Sequence, residues 1–185
     1  MDECLILVDN SNVFIEGRKF SARKRGMLRN PMDMHDPVDW DWRIDFGSLL
    51  KTVANGHKII KAILVGSTPP PNDSLWKAIE SQGFEVKTYE RSFSTGEEKV
   101  VDTELLASGL EIILEHPHPA VLKLLSGDRD FLPLIKRAYR KGWEAELWGF
   151  SSSISHELAE MVSRVHELDL VFDQIGRYEN QQTAY

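Results

Sequence analysis

The sequence predicts a single α/β domain with a largely parallel β-sheet. Short apolar runs alternate with amphipathic stretches along the chain, which is the pattern of successive βα units. The 185 residues fall within the usual length of one domain, and a chain of that size folds unaided. Its composition, 42% hydrophobic and 28% charged residues, is ordinary for a globular protein. We therefore expect a sheet covered by helices.

Five strands are predicted from short apolar runs that end in a turn or a helix. They cover residues 4–9, 59–66, 84–89, 120–126 and 144–149. Helices are predicted at about residues 44–55, 72–82, 101–115, 130–141 and 153–164. Three prolines at 69–71 prevent regular structure after the second strand, and Asn72 or Asp73 is expected to cap the helix that follows. An apolar stripe in residues 101–115 is expected to face the sheet.

Two segments and the C-terminal tail depart from this alternation. Residues 17–43 show no convincing period and are interpreted as an extended loop or short helical insertion in a domain that spans residues 1–175. Residues 91–99 form a polar loop, and residues 176–185 are expected to form a flexible tail. Trp40 and Trp42 fit two roles, because they could stack on bases or anchor the first segment to the body of the domain.

Charge, cysteine count and hydropathy narrow the class of protein. The net charge of −7 argues against affinity for nucleic acid over the whole surface. Residues 17–30 nevertheless carry six basic residues and no acid, so a polyanion could bind there. Cys4 is the single cysteine, which excludes an intramolecular disulfide, so a reducing cytoplasm is the expected compartment. No apolar run reaches the ~20 residues of a membrane helix, and no membrane partner is expected.

Three aspartates directly follow predicted strands. Asp9 ends the first strand, and Asp128 and Asp130 follow the fourth in the sequence SGDRD. Ligands of open α/β sheets bind beyond the carboxyl ends of strands. If the first and fourth strands are neighbours, three carboxylates meet in one crevice, where like charges repel unless a cation lies between them. Oxygen ligands favour Mg²⁺ or Mn²⁺ over zinc.

Helix capping explains the same residues in another way. An aspartate after a strand commonly caps the next helix. Three acids are more than two caps require, which favours a metal site for Asp9, Asp128 and Asp130 taken together. Asp102, at the start of the predicted helix 101–115, fits a cap equally well. The motifs of a phosphate-binding loop and of a G-x-S-x-G nucleophile are absent from the sequence.

Four motifs resemble the NYN domain, whose members belong to the PIN-like ribonuclease superfamily and include the bacterial DUF88/LabA-like proteins. They are LILVDNSNVFIEG, ILVGSTPPP, EKVVDTELLASGLEI and LLSGDRDFLPLIKRAYRKGWEAELWGF. Their order and spacing match over about residues 4–170. The resemblance implies a three-layer α/β/α fold with a mainly parallel sheet of five or six strands in the order 3-2-1-4-5. It also implies a divalent-metal site that hydrolyses RNA.

The resemblance assigns roles to individual residues. Asp9 is the acid of the first strand, Asp102 the acid of a K-x-V-D element, and Asp128 the first acid of S-G-D-x-D-F. Asp130 is a supporting acid, and Asn12 orients a ligand or water. Mg²⁺ or Mn²⁺ is the implied cofactor. RNA, single-stranded or structured, is the implied partner, and homodimerisation is left open.

Phosphate contacts are expected from the basic segment beside the acidic centre. Such contacts position a nucleic-acid strand without reading its sequence. The residues expected to make them are Arg18, Lys19, Arg23, Lys24 and Arg25. A solvated basic loop with no ligand is the alternative.

One position departs from the family's pattern. Many bacterial members carry a further aspartate where this chain has Ser108, and Glu104 is the nearby acid that could replace it. Two functions therefore stay open: a ribonuclease whose metal activates water, and a non-catalytic RNA-binding module that has kept the acidic pocket. A phosphatase of small phosphate esters ranks below both, because the first strand ends in D-N-S rather than D-x-D.

Overall fold

A central parallel sheet between two layers of helices accounts for most of the chain. The computed structural model describes residues 2–27, 35–68, 73–90 and 98–179. The strands are β1 (Glu3–Asp9), β2 (Trp42–Ile44), β3 (Lys58–Thr68), β4 (Glu85–Glu90), β5 (Val121–Leu125), β6 (Glu144–Gly149), β7 (Arg164–Glu167) and β8 (Gly176–Tyr178). The helices are α1 (Asn10–Lys24), α2 (Phe46–Ala54), α3 (Asp73–Glu80), α4 (Glu98–Glu115), α5 (Leu132–Arg140), α6 (His156–Met161) and α7 (Phe172–Ile175). None of the described helices is long and apolar enough to cross a membrane.

β1 lies in the interior of the six-stranded sheet. The strand order is β4-β3-β1-β5-β6-β7, and every neighbouring pair is parallel. The five strands predicted from the sequence are β1, β3, β4, β5 and β6, so the predicted order 3-2-1-4-5 is confirmed and β7 adds an edge strand. In this register Val8 pairs with Leu64 of β3 and with Leu125 of β5. The carboxyl end of β1 therefore lies between the carboxyl ends of β3 and β5.

Each face of the sheet carries its own hydrophobic core. Helices α1, α2, α3 and α7 pack on one face, and α4, α5 and α6 on the other. Successive side chains of a strand point to opposite faces, so Ile6 belongs to the first core and Leu7 to the second. Leu105 and Ile113 of α4 are buried in the second core. A methyl group on Gly109 would lie 2.6 Å from Leu7 Cδ1, so the apolar stripe predicted in this helix does face the sheet.

The basic segment begins as the second half of a 15-residue helix, where the sequence predicted an extended loop or a short helical insertion. Residues 17–24 continue α1, which starts directly after β1. Apolar periodicity does not reveal this half of the helix, because its buried positions include Gly17, Arg18 and Ser21. The indole of Trp42 packs against Gly17, where any side chain would overlap the ring. The absence of a side chain at Gly17 thus allows close packing between α1 and the segment that carries Trp42.

The chain after residue 175 is ordered in its first residues. β8 pairs with β2 in an antiparallel ladder that places Tyr178 opposite Trp42. Glu179 accepts a hydrogen bond from Arg43 at 2.7 Å. The segment expected to be a flexible tail therefore begins with a strand. Residues 180–185 lie outside the described ranges, as do residues 28–34 of the basic segment, Asn72 and most of the polar loop 91–99.

Candidate functional site

Asp9 ends β1 and begins the turn into α1. Its backbone is still extended (φ −78°, ψ 95°), and its Oδ1 accepts the backbone N–H of Asn12 at 3.1 Å. Asp9 therefore caps α1, which is the role that the capping alternative assigned to it. Asn12 contributes to the site through this N–H. The side chain of Asp9 is only 6% exposed, a degree of burial that a solvent-facing cap does not need.

Ser126 joins the carboxyl ends of β1 and β5. Its hydroxyl donates to Asp9 Oδ2 at 3.1 Å and accepts the N–H of Asp128 at 3.2 Å. Ser126 itself is fully buried. Because the two strands are neighbours in the sheet, as the sequence argument required, one hydroxyl connects the loops that carry the two acids.

The electrostatic environment of Asp9 disfavours its ionised form. Burial raises the pKa of the Asp9 carboxyl, and the negative charge of Asp128 raises it further. The hydrogen bonds from Asn12 and Ser126 act in the opposite direction, but the pKa remains above its ordinary value. Within the described part of the chain, no basic side chain forms an ion pair with Asp9. The site therefore holds negative charge without a cationic side chain to balance it.

Asp128 caps the turn that carries Asp130. Asp128 Oδ1 accepts the N–H of Asp130 at 2.9 Å, which begins a 3₁₀ turn at Arg129–Phe131. The side chain of Asp128 is half-buried, whereas Asp130 is exposed. The electrostatic contact with Asp9 comes from Asp128.

Asp102 lies in the second turn of α4 and is half-buried. α4 packs on the face of the sheet opposite to α1. Among the described residues, no three histidine, cysteine or acidic side chains are grouped so that they could hold a metal ion. Asp9 and Asp128 interact electrostatically, because the charge of Asp128 raises the pKa of Asp9.

These two carboxylates fit a hydrated divalent cation. Mg²⁺ is usually held by one or two protein carboxylates and keeps several waters. Carboxylate oxygens are hard ligands, which suit Mg²⁺ or Mn²⁺ better than a soft-ligand metal. A cation between Asp9 and Asp128 would counter both causes of the raised pKa of Asp9, its desolvation and the repulsion from Asp128.

Ser108, the position that departs from the family's pattern, is hydrogen-bonded to an ion pair formed by Lys87 and Glu104. The ammonium group of Lys87 lies 2.7 Å from Glu104 Oε1 and 2.8 Å from Ser108 Oγ. The Ser108 hydroxyl donates to the same Glu104 oxygen at 3.1 Å. Lys87 holds the pKa of Glu104 below its ordinary value. Glu104 is therefore ionised but paired, and it does not take the place of a free metal-binding acid.

The five basic residues predicted to contact phosphate lie on or just after α1, and most of them have partners. Three of them form ion pairs with acids: Lys19 with Glu16, Lys24 with Asp173 and Arg25 with Asp39. Arg23 donates to the hydroxyl of Ser152 at 3.2 Å. Arg18 is only 6% exposed. The structure therefore does not present them as a free cationic loop.

Asp9 and Asp128 are called the acidic pair below. A pocket of about 910 Å³ opens beside this pair, at Asn10 and Ser11, which directly follow Asp9. It lies between the first half of α1, the segment 38–46, the end of β3 and the start of α3. Its lining includes Asn10, Phe14, Arg18, Trp40, Ser67 and Trp76. The sequence did not reveal this pocket. The available signal was the i, i+4, i+8 spacing of Asn10, Phe14 and Arg18, which places these three side chains on one face of α1.

The structure supports one of the two roles that the sequence left open for Trp40 and Trp42, the anchoring role, and it supports this role at Trp42. Trp42 is fully buried and stacks on Phe172 with 5.1 Å between ring centroids, so it anchors the segment. Trp40 is 69% exposed and lies at the pocket. The guanidinium of Arg18 stands over the Trp40 ring, 4.7 Å from its centroid.

The parallel sheet in the order β4-β3-β1-β5-β6-β7, with helices on both faces, is the fold of a PIN-like domain. The chain belongs to the NYN domain family, whose model matches residues 4–169. It is similar in structure to a crystal structure of a protein of unknown function from Vibrio parahaemolyticus, with a TM-score of 0.68 and 18% sequence identity. That similarity covers 95% of this chain and 96% of the other, and it supports the fold alone. No curated protein gives a significant match.

Proposed function

We propose that this chain is a Mg²⁺- or Mn²⁺-dependent ribonuclease that hydrolyses RNA phosphodiester bonds with water as the nucleophile. The observation that carries the proposal is the buried carboxylate of Asp9, which Ser126 links to Asp128 at the carboxyl ends of two neighbouring parallel strands. In an open α/β sheet this edge is where ligands bind. Membership of the NYN family supports a nuclease rather than another use of the same edge.

Asp9 and Asp128 would hold the cation, with Asp102 and Asp130 contributing directly or through water. A bound divalent ion lowers the pKa of a water molecule and stabilises charge on the phosphoryl oxygens. Ser126 fixes the orientation of the Asp9 carboxylate by its hydrogen bond to Oδ2. The N–H of Asn12 fixes the other oxygen, so the acid is held in place before the cation and RNA arrive.

Cleavage of RNA by matched variants tests this proposal. Purified protein is incubated with short single-stranded and hairpin RNAs in Mn²⁺ or in EDTA, and the products are separated on a gel. Asp9→Asn should reduce the rate by at least about 100-fold, more than the loss of an outer partner of a metal ligand costs. Asp2→Asn is the control, because Asp2 is exposed and precedes β1 at the opposite edge of the sheet.

The proposal is judged by comparing cleavage by the wild type, Asp2→Asn and Asp9→Asn. Wild type and Asp2→Asn should cleave in Mn²⁺ and not in EDTA. Equal cleavage by wild type and Asp9→Asn would identify a contaminating nuclease and would reject the proposal.

A non-catalytic RNA-binding module is the second candidate. The pairing of Glu104 with Lys87 favours it, because this position contributes no free negative charge beside Ser108. A module of this kind would bind RNA equally in Mn²⁺ and in EDTA and would cleave none. Its binding would also be unaffected by Asp128→Asn. Binding that is metal-independent, together with no cleavage by any variant, would select this candidate over the first.

A further inference from the structure

We propose that the pocket beside the acidic pair is a nucleobase subsite, in which one base of a single-stranded RNA stacks on Trp40 and polar groups of the same nucleotide bind Arg18. The inference rests on the proposed function in that it takes RNA as the ligand. It is independent of catalysis, because it concerns binding alone.

The position of the pocket connects it to the acidic pair. Asn10 and Ser11 line its near end and directly follow Asp9 in the chain. Arg18 lies eight residues further along α1, which is about 12 Å at the rise of an α-helix. A volume of about 910 Å³ is within the range of small-ligand pockets. A strand whose phosphate reaches Asp9 can therefore place a neighbouring nucleotide along α1.

Trp40 provides an exposed stacking surface at this pocket. Its side chain is 69% exposed, whereas Trp42, Trp143 and Trp148 are at most 5% exposed. Phe14 and Trp76 add further aromatic surface to the lining. Proteins that bind single strands place bases on aromatic side chains of this kind, and such stacking tolerates any base.

Arg18 provides a buried positive charge with unused hydrogen-bond donors. Its guanidinium lies over the Phe14 ring at 3.9 Å and over the Trp40 ring at 4.7 Å. Its Nε donates a long hydrogen bond of 3.4 Å to the carbonyl of Trp42. Within the described ranges its two terminal amino groups have no hydrogen bond and no ion pair.

The acids near Arg18 are already engaged elsewhere. Glu179 is bound by Arg43 at 2.7 Å, and Asp39 by Arg25 at 3.0 Å. Arg18 lines the pocket, so a phosphate or a base carbonyl bound there could accept hydrogen bonds from its terminal amino groups.

Asn10 supplies a second polar group at the end of the pocket nearest to Asp9. Its side-chain oxygen is buried and has no hydrogen-bond partner in the part of the chain that the structure describes. Buried polar groups are nearly always paired, so an unpaired one at a pocket indicates a missing ligand or water. The aromatic surface and this amide suit the face and the edge of a base, and the cation of Arg18 suits a phosphate or a base carbonyl.

Fluorescence measurements in EDTA test the subsite without cleavage. Binding of a 5′-labelled short single-stranded RNA is followed by anisotropy, and quenching of tryptophan emission is followed with AMP and with ribose 5-phosphate. Trp40→Ala should weaken RNA binding by about tenfold or more, while Trp40→Phe, which keeps an aromatic ring, should retain most of the affinity. AMP should quench the wild type and not Trp40→Ala, and ribose 5-phosphate should quench neither.

Leu170→Ala is the matched control, because Leu170 is an exposed large apolar residue (80%) away from the pocket. It should bind RNA as the wild type does. Wild-type affinity in Trp40→Ala, or no RNA binding by the wild type, would overturn the subsite.

Asp9→Asn separates the two proposals. If this variant loses cleavage and retains RNA binding, both the nuclease and the subsite are supported. Binding that depends on Trp40 without any cleavage by the wild type keeps the subsite and rejects the nuclease.

Discussion

The hydroxyl of Ser126 donates a hydrogen bond of 3.1 Å to the buried carboxylate of Asp9. The same hydroxyl accepts the N–H of Asp128, so it occupies the junction between two acidic loops. Burial and the charge of Asp128 both oppose ionisation of Asp9, and the donated hydrogen bond favours it. A neutral side chain therefore helps to maintain a negative charge that the proposed metal site needs.

Ser126→Ala should destabilise the protein at neutral pH. The change removes a hydrogen bond to an ionised group and leaves the N–H of Asp128 without its acceptor, a loss of about 1.5–3 kcal/mol. Urea unfolding measures the free-energy difference. Ser152→Ala is the control, because Ser152 is exposed and its hydrogen bond from Arg23 lies at the surface. Equal stability of Ser126→Ala and wild type would show that the Ser126 hydroxyl does not support Asp9.

Asp9→Asn should raise the stability of the metal-free protein at neutral pH. The folded-state pKa of Asp9 is raised above the ordinary 3.8, so the native state binds the proton more tightly than the unfolded chain. Wild-type stability therefore falls as pH rises from about 3.8 through the folded pKa, and the loss persists above it. Asparagine removes the charge and still caps α1, because it is an equally good N-cap residue.

Thermal unfolding in EDTA between acidic and neutral pH measures this effect. The melting temperature of Asp9→Asn should exceed that of the wild type at neutral pH by about 2–4 °C for each kcal/mol gained. The difference should disappear at the acidic end, where Asp9 is protonated in both folded and unfolded states. A variant that is less stable than the wild type at neutral pH would contradict the raised pKa.

Mn²⁺ should reverse the order of stability between the two proteins. A cation that binds only the native state stabilises it by about 2.7 kcal/mol when its concentration is 100 times Kd. Asp9 would supply part of the binding, so the wild type should gain stability with Mn²⁺ and Asp9→Asn should gain little. Asp2→Asn should respond as the wild type does. The same melting temperature for wild type with and without Mn²⁺ would reject the metal site by a measurement that does not depend on activity.

Strands and acid positions were predictable from the sequence because both depend on local patterns. Five apolar runs became five strands of the sheet, and Asp9 and Asp128 follow β1 and β5 as expected. The sheet order came from the resemblance to a family, because alternation of strands and helices alone does not select one order. Helix cap and metal-binding acid were the alternative roles of Asp9 in the sequence. The structure shows that Asp9 caps α1 and is buried, and its role as a metal ligand stays a prediction.

The partners of charged and aromatic side chains were not predictable, because those contacts join distant parts of the chain. Lys24 pairs with Asp173, and Trp42 stacks on Phe172, each across more than half of the sequence. A count of the basic residues in segment 17–30 alone therefore overestimates the positive charge that is available to RNA. The burial of Arg18 likewise depends on Trp40 and Trp42, which reach α1 from a later segment.

Gly17→Ala should weaken RNA binding while leaving the acidic pair unchanged. A methyl group at this position would overlap the indole of Trp42, which must then move from its place between α1 and Phe172. Overpacking of a core typically costs about 1–3 kcal/mol, and a shift of Trp42 also displaces Trp40 from the pocket. Melting temperature and RNA anisotropy in EDTA measure the two effects, and a Mn²⁺ titration followed by electron paramagnetic resonance reports on the acidic pair.

Gly47→Ala is the matched control for this substitution. Its new methyl group would meet the end of the Gln82 side chain, which can turn away, and alanine favours a helix over glycine by about 1 kcal/mol. Gly47→Ala should therefore be as stable as the wild type or more stable, with RNA binding unchanged. If Gly17→Ala bound RNA as tightly as Gly47→Ala, the position of Trp42 would not control the subsite. If Gly17→Ala lost Mn²⁺ binding as well, the pocket and the acidic pair would not be the separate units that their geometry indicates.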